Sequence, residues 1–371
     1  MQAIKKIESK CIEFLKNHFD RSSNVPFNAP FEGNFKLKKE YKGYDLYGML
    51  DAVYILFIIG KLAEYTTRNS RKEWAKKIKS CQGDDGWFTK KNYRKHSKEH
   101  ATAYSVGALK LLEIDSDEFY CKTIDPIIDL LEFIKDERKT SVLMEKMGFK
   151  LTINNLSANL GWHYIWKSSH LAGGIAASIF MLKDEIGNWS NSNYDINQWF
   201  KQWFDWLDER INPKTGLWQR AFWNKLYKKP TLIDMGGAVH FLWIYSAFNK
   251  NFTYKMNLIN SVLSIQKDNG LYKKQPFCID FDANFCLVRS FDQLNLSNQM
   301  AISSKIEESL NKNSNKIIKI LSTVRFNEIY NDTHGLPGAL AALVECKGFK
   351  SFNNFEGMEN WNNPFNKVCW L

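Results

Sequence analysis

The sequence predicts an all-α protein, a closed ring of six helical hairpins of the (α/α)6 toroid type, formed by residues 1–371 as one domain. Two observations predict it. One unit recurs: an amphipathic helix, a Gly turn bearing an aromatic residue, then an apolar helix, rich in small residues, that opens on Asp or His. Strand-like alternation is scarce, and no Pro/Gly/Ser-rich linker divides the chain. Units that cannot bury their own faces must stack, and closing the stack leaves no open ends.

The elements follow in order. Ile4, Ile7, Cys11, Phe14, Leu15 and Phe19 share one helical face. After a loop over 21–42, Asp45 and Asp51 open an apolar helix that runs to about Glu64, and an amphipathic helix covers 71–80. The turn Gln82-Gly83-Asp84-Asp85-Gly86-Trp87-Phe88 leads through a basic segment to a second apolar helix at His100. An outer helix over 124–136 and a long connection over 138–168, with His163 and Trp166, precede a third at Ser169-His170. The helix over 196–210 carries Trp199, Trp203 and Trp206 on one stripe, the pattern of a buried face. The turn ending in Gly216-Leu217-Trp218 leads to a fourth apolar helix with Asp234 and His240. A helix over 255–266 and the turn Gln266 to Tyr272 lead to the fifth, opened by Asp280-Phe281-Asp282. The last pair is a helix over 302–321 and one over 339–345, preceded by Asp332-Thr333-His334. Residues 349–371 read as an aromatic tail packed across one end of the ring.

Lys and Arg total 51 against 40 Asp and Glu, a formal charge of +11. That favours an anionic small-molecule or saccharide substrate and leaves room for peripheral association with an anionic membrane surface. The lysines fall in short clusters (36–42, 90–98, 225–229) with no Arg-rich tail, so no nucleic-acid partner is expected. No uncharged apolar run reaches the length of a membrane span. Seven cysteines without a CxxC pair fit free thiols, and the amphipathic start is unlike a signal peptide, so a cytoplasmic location is expected.

In such a ring the inner-helix N-termini line one mouth with positive potential. An Asp there is an ordinary N-cap, but His or Asp recurs at this place in every hairpin. Asp280 and Asp282 stand out as two carboxylates two residues apart, an arrangement in which one pKa rises and that acid can donate a proton. The candidate catalytic residues are Asp282, Asp280, His170, His334 and Asp234. The candidate substrate-binding residues are His100, His240, Asp45, Asp51, Trp87, Trp166, Trp218 and Tyr272. No cofactor is expected and no residue is assigned to a metal, since neither an HExxH nor a CxxC spacing occurs.

Gln82 to Phe88 and Gln266 to Tyr272 resemble the Q-x-x-D-G-x-W repeat of the squalene-cyclase/prenyltransferase toroid superfamily, as does His100-Ala101-Thr102-Ala103-Tyr104. Asp280-Phe281-Asp282-Ala283 resembles the D-x-D-D motif of class II terpene cyclases, with Ala283 in place of the last Asp. That resemblance implies Asp282 as the proton donor. Asn212-Pro213-Lys214-Thr215-Gly216-Leu217-Trp218 is similar to a turn of unsaturated glucuronyl hydrolases, and the pattern also resembles toroids associated with bacterial surface-polysaccharide biosynthesis. Three functions are carried forward. The first is acid/base chemistry (hydrolysis, elimination or epimerisation) on an anionic carbohydrate. The second is protonation of an isoprenoid by Asp282. The third is a non-catalytic toroid that binds a glycan or protein.

Overall fold

The computed structural model describes residues 1–19, 31, 35, 45–89, 96–114, 121–133, 164–189, 194–218, 229–349 and 355–371. Among them the protein is helical, with isolated bridges as the only strand-like pairing. Twelve helices carry the architecture. They are α1 (Gln2–His18), α2 (Leu46–Ile58), α3 (Arg68–Lys79), α4 (Lys98–Leu111), α5 (Asp125–Phe133), α6 (Tyr164–Met181), α7 (Ile196–Asp208), α8 (Leu232–Ala247), α9 (Lys255–Ile265), α10 (Cys278–Asp292), α11 (Leu296–Thr323) and α12 (Leu336–Lys347). Short helices at Leu62–Tyr65, Lys183–Trp189 and Phe326–Ile329 lie between them.

Even- and odd-numbered helices differ in burial. Every residue of α2 is buried, as are nearly all of α4, α8 and α12. In α1, α3 and α11 one face of apolar residues and a few polar ones is buried at helical spacing, and the other face is exposed. The even helices pack on one another in chain order: α2 on α4, α4 on α6, α6 on α8, α8 on α10 and α10 on α12. Contacts between α12 and α2 complete the cycle. Odd helices cover the outside, with α9 and α11 against α10 and α1 against α11. The Trp203 and Phe204 rings of α7 pack on Phe241 and Tyr245 of α8.

The Gly turns repeat in structure as well as sequence. The Gln82 amide donates to the carbonyls of Gly86 (2.8 Å) and Lys122 (3.2 Å). The Gln266 amide donates to the carbonyls of Gly270 (2.9 Å) and Ser309 (3.0 Å). In each turn one glutamine bonds its own Gly and a carbonyl of a later segment. Gly86 and Gly270 have φ of +78° and +88°, which a residue with a Cβ rarely adopts.

Segment 355–371 packs on the C-terminal ends of the buried helices. Asn362 N–H donates to Ile58 O (2.8 Å), and Asn363 donates to Glu345 (2.8 Å), which also pairs with Arg289 (2.6 Å). Phe365 sits among Trp243, Phe281 and Phe285. Trp370 is wholly buried, and Tyr54 O–H donates to its carbonyl (2.7 Å).

Several expected boundaries shift. The first apolar helix ends at Ile58, because the chain reverses at Gly60 (φ +69°), where a Cβ would lie 2.1 Å from Asn360 O. The third begins at Tyr164, so Trp166 and His170 stand one turn apart on one helix. The outer helix expected over 124–136 is described as Asp125–Phe133. The expected run over 302–321 is longer, Leu296–Thr323. His163, the lysine segment 225–228 and most of the lysine segments over 36–42 and 90–98 lie outside the described residues.

Small residues let inner helices approach closely. A Cβ on Gly174 of α6 would lie 2.7 to 2.9 Å from the backbone of Glu99 and His100. Gly174→Ala must therefore push α4 from α6 where His100 is anchored. We expect a loss of about 1–3 kcal/mol in urea unfolding; an unchanged midpoint would contradict this packing.

Candidate functional site

A cluster of five imidazoles forms a mouth between the buried helices, at the starts of α4 and α12 and further along α6 and α8. His96 lies in the bend before α4, His100 in its first turn, His170 on α6, His240 on α8 and His334 in a 3-10 turn (Thr333–Gly335) before α12. Ring centroids are 4.4 Å apart for His96–His100, 4.5 Å for His100–His170 and 4.7 Å for His170–His240. His96 and His334 lie 4.9 Å apart. Trp370 forms the floor, stacked on His240 at 5.0 Å and edge-on to His100 at 5.4 Å.

Local chemistry places each ring. Ser97 caps α4 by accepting the His100 N–H, which fixes His100 at the helix start. Tyr47 O–H lies 3.4 Å from His100 Nδ1. The Trp166 indole N–H donates to His170 Nε2 at 2.8 Å, across one helical turn. Ser169 O–H donates to the Trp166 carbonyl, so its oxygen accepts at the 2.9 Å contact with His240 Nδ1. That makes Nδ1 of His240 the protonated nitrogen and Nε2 the one with the lone pair.

Asp51 is wholly buried and organises the other side. It accepts from Tyr104 O–H (2.9 Å), Thr333 O–H (2.6 Å) and His334 Nδ1 (2.9 Å). A carboxylate on Nδ1 fixes the tautomer and leaves Nε2 as the basic nitrogen. His334 keeps 17% side-chain exposure, so this nitrogen belongs to a reachable ring.

Burial dominates the electrostatics. It pushes the pKa of His100, His170 and His240 well below the ordinary value, and neighbouring imidazoles add to the effect. All three are neutral at neutral pH, the form that accepts protons and binds metals. Tyr104, buried beside Asp51, is pushed well up and stays a donor.

The two carboxylates of α10 separate. Asp280 accepts from the N–H groups of Tyr272 (3.1 Å) and Phe277 (3.0 Å) and from the Asn313 amide (2.9 Å). It thus ties the Gly turn and outer α11 to the start of α10. Burial outweighs these bonds and lifts its pKa to about 6. Two residues along a helix is a rotation of roughly 200°, so Asp282 lies on the other side of α10. It is 2% exposed, and burial holds its carboxyl well above the usual range, opposed by the Lys273 charge. Lys273 also lies over the Trp166 ring at 5.5 Å, which connects Asp282 to the histidine mouth.

The remaining candidates have structural surroundings. Asp234 forms a capping box with Thr231 at the start of α8. Asp45 caps α2 through the Gly48 N–H. Trp87, Trp218 and Tyr272 are buried in the core, where the Trp218 indole donates to Leu207 O. The structure thus gathers His100, His170, His240, His334, Asp51 and Trp166 and leaves Asp45, Asp234 and Asp280 at helix caps.

Sequence reasoning missed His96, Tyr47, Tyr104, Ser169, Thr333 and Trp370 as parts of this site. His96 did carry a signal. His96-Ser97-Lys98-Glu99-His100 is a His-x-x-x-His spacing, inside a segment read as merely basic. No metal ligand was assigned from the sequence; in the structure, one ligand nitrogen from each of His96, His100 and His170 lies within 4.8 Å of the others.

Comparison with protein-family models, with curated proteins and with solved structures returns no match. Among the described residues no helix is long and apolar enough to cross a membrane.

Asp282 provides a test of the electrostatics. Its folded pKa lies above the unfolded value, so it keeps a proton in the fold that unfolding releases. Stability from this group falls as pH rises above the ordinary carboxylate range, by up to about 1.4 kcal/mol per pH unit until the folded pKa is reached. Asp282→Asn mimics the protonated form. Its unfolding midpoint should exceed wild type at pH 8 by more than at pH 5; a pH-independent difference would show an ionised Asp282.

Proposed function

We propose that the chain is an (α/α)6 toroid whose histidine mouth performs acid/base chemistry on an anionic carbohydrate. The observation that carries this reading is the Asp51–His334 pair, a 2.9 Å contact between a buried carboxylate and a partly exposed imidazole at the edge of four further imidazoles. Such a pair is built to take a proton on Nε2 and stabilise the resulting imidazolium. His100, His170 and His240 are neutral, so they add no positive charge against that step.

Three features support an anionic sugar. The chain carries +11 formal charge. His100 and His334 stand at the starts of α4 and α12, and helix N-termini favour anions. Lys273 stands beside the Trp166 ring, a cation next to an aromatic face of the kind that packs on sugars. Asp282 supplies the acid, because burial keeps it protonated.

The test is turnover of a panel of uronate-containing oligosaccharides. His334→Gln and Asp51→Asn should each lower kcat/KM by about 10²-fold or more on any substrate found. Full activity in both would remove the Asp51–His334 pair from the mechanism. Absence of turnover across the panel would overturn the carbohydrate reading.

One observation favours a second reading. A buried, protonated Asp282 is also what an isoprenoid cyclase needs to protonate an alkene. In that case Asp282→Asn abolishes turnover of a prenyl substrate while His334→Gln spares it. The carbohydrate reading requires both residues.

A further inference from the structure

The acid/base reading requires no metal. We infer in addition that His96, His100 and His170 form a binding site for a transition-metal dication of the zinc class. The inference stands on geometry and on the donor set.

One nitrogen from each ring lies within 4.8 Å of the other two. A tetrahedral zinc holds its nitrogens at about 2.0–2.1 Å and so about 3.3 Å apart, and the rings must turn inward by up to about 1.5 Å to complete the triad. The rings are already gathered, with centroids 4.4, 4.5 and 5.6 Å apart. They come from three separate places: a bend, the first turn of α4 and the second turn of α6. Close packing at Gly174 holds the last two together.

The donor set selects the ion. Three imidazoles with no carboxylate or thiolate among them suit zinc, copper, nickel or cobalt rather than magnesium or calcium. Burial keeps His100 and His170 unprotonated, which is the ligating form. Three protein ligands leave a fourth position for water or substrate, the pattern of catalytic rather than structural zinc.

Neighbouring groups tune the site. The Tyr47 hydroxyl oxygen lies 3.4 Å from His100 Nδ1, placed to accept its N–H in the tautomer whose Nε2 is the ligand nitrogen. At His170 the Trp166 indole N–H occupies Nε2, and a ring nitrogen cannot serve an N–H donor and a metal at once. Metal bound through Nε2 of His170 must therefore displace the indole, and Trp166 then competes with it.

The experiment is equilibrium dialysis of chelator-stripped protein against Zn2+, with metal analysis, and titration with Co2+ followed by visible absorption. Wild type should bind one equivalent and give the intense absorption of tetrahedral cobalt. His96→Ala, His100→Ala and His170→Ala should each weaken binding more than about tenfold. His96 sits in a bend and is only partly buried, so this variant tests the site even if the other two fail to fold, as judged by circular dichroism. His18→Gln, on α1 outside the cluster, should bind as wild type. Trp166→Phe should tighten binding; unchanged affinity would overturn Nε2 of His170 as the ligand. Absence of bound zinc in wild type, or binding that survives both His96→Ala and His100→Ala, would overturn the site. These readouts do not involve turnover, so they fail or succeed independently of the acid/base reading.

Discussion

The structure depends most on the Asp51 carboxylate. It is wholly buried, and its donors come from the second inner helix (Tyr104) and from the turn before the last (Thr333 and His334), while it stands on the first. One residue therefore joins the first, second and last inner segments where the cycle of contacts closes. A buried carboxylate is costly unless it is well hydrogen-bonded. Here the bonds that meet that cost also fix the tautomer of His334. The joining of these segments and the orientation of a basic nitrogen are one interaction.

A similar economy holds across the mouth. Tyr47 and Asp51 on α2 face His100 and Tyr104 on α4, with both pairs offset by 53 residues. Ser169 and Trp166 on α6 each serve a histidine, one on the next helix and one on their own. Trp370 arrives from the opposite end, and its ring fits where Gly173 leaves no side chain. The polar groups of the site are thus held by packing that also builds the core.

The helical class and the alternation of buried and amphipathic helices were legible because they rest on local patterns. Apolar runs with Ala, Ser and Gly marked the inner helices, and Gln82 and Gln266 marked turns whose side-chain bonds prove equivalent. Four of the clustered histidines were legible because one recurs in or just before successive apolar runs, although only His100 and His334 lie at helix starts in the structure. Asp280 shows the limit: an acidic pair two residues apart reads as one site in sequence, but helix geometry turns the two to opposite sides. Whether an Asp at a helix start caps or reaches the mouth is settled by which neighbour offers N–H groups, as Thr231 and Gly48 do, and sequence does not carry that. Trp370 was illegible as a floor because its position depends on residues far from it in sequence, Tyr54, His100 and His240.

The central claim is that the buried imidazoles of the mouth are neutral and fixed in tautomer. The most direct measurement is the 15N NMR of the histidine rings in metal-free protein across pH 5 to 8. His100, His170 and His240 should remain unprotonated at pH 6, below the ordinary value of 6.5, with His240 carrying its proton on Nδ1. Rings that titrate at or above 6.5, or a His240 protonated on Nε2, would contradict the account.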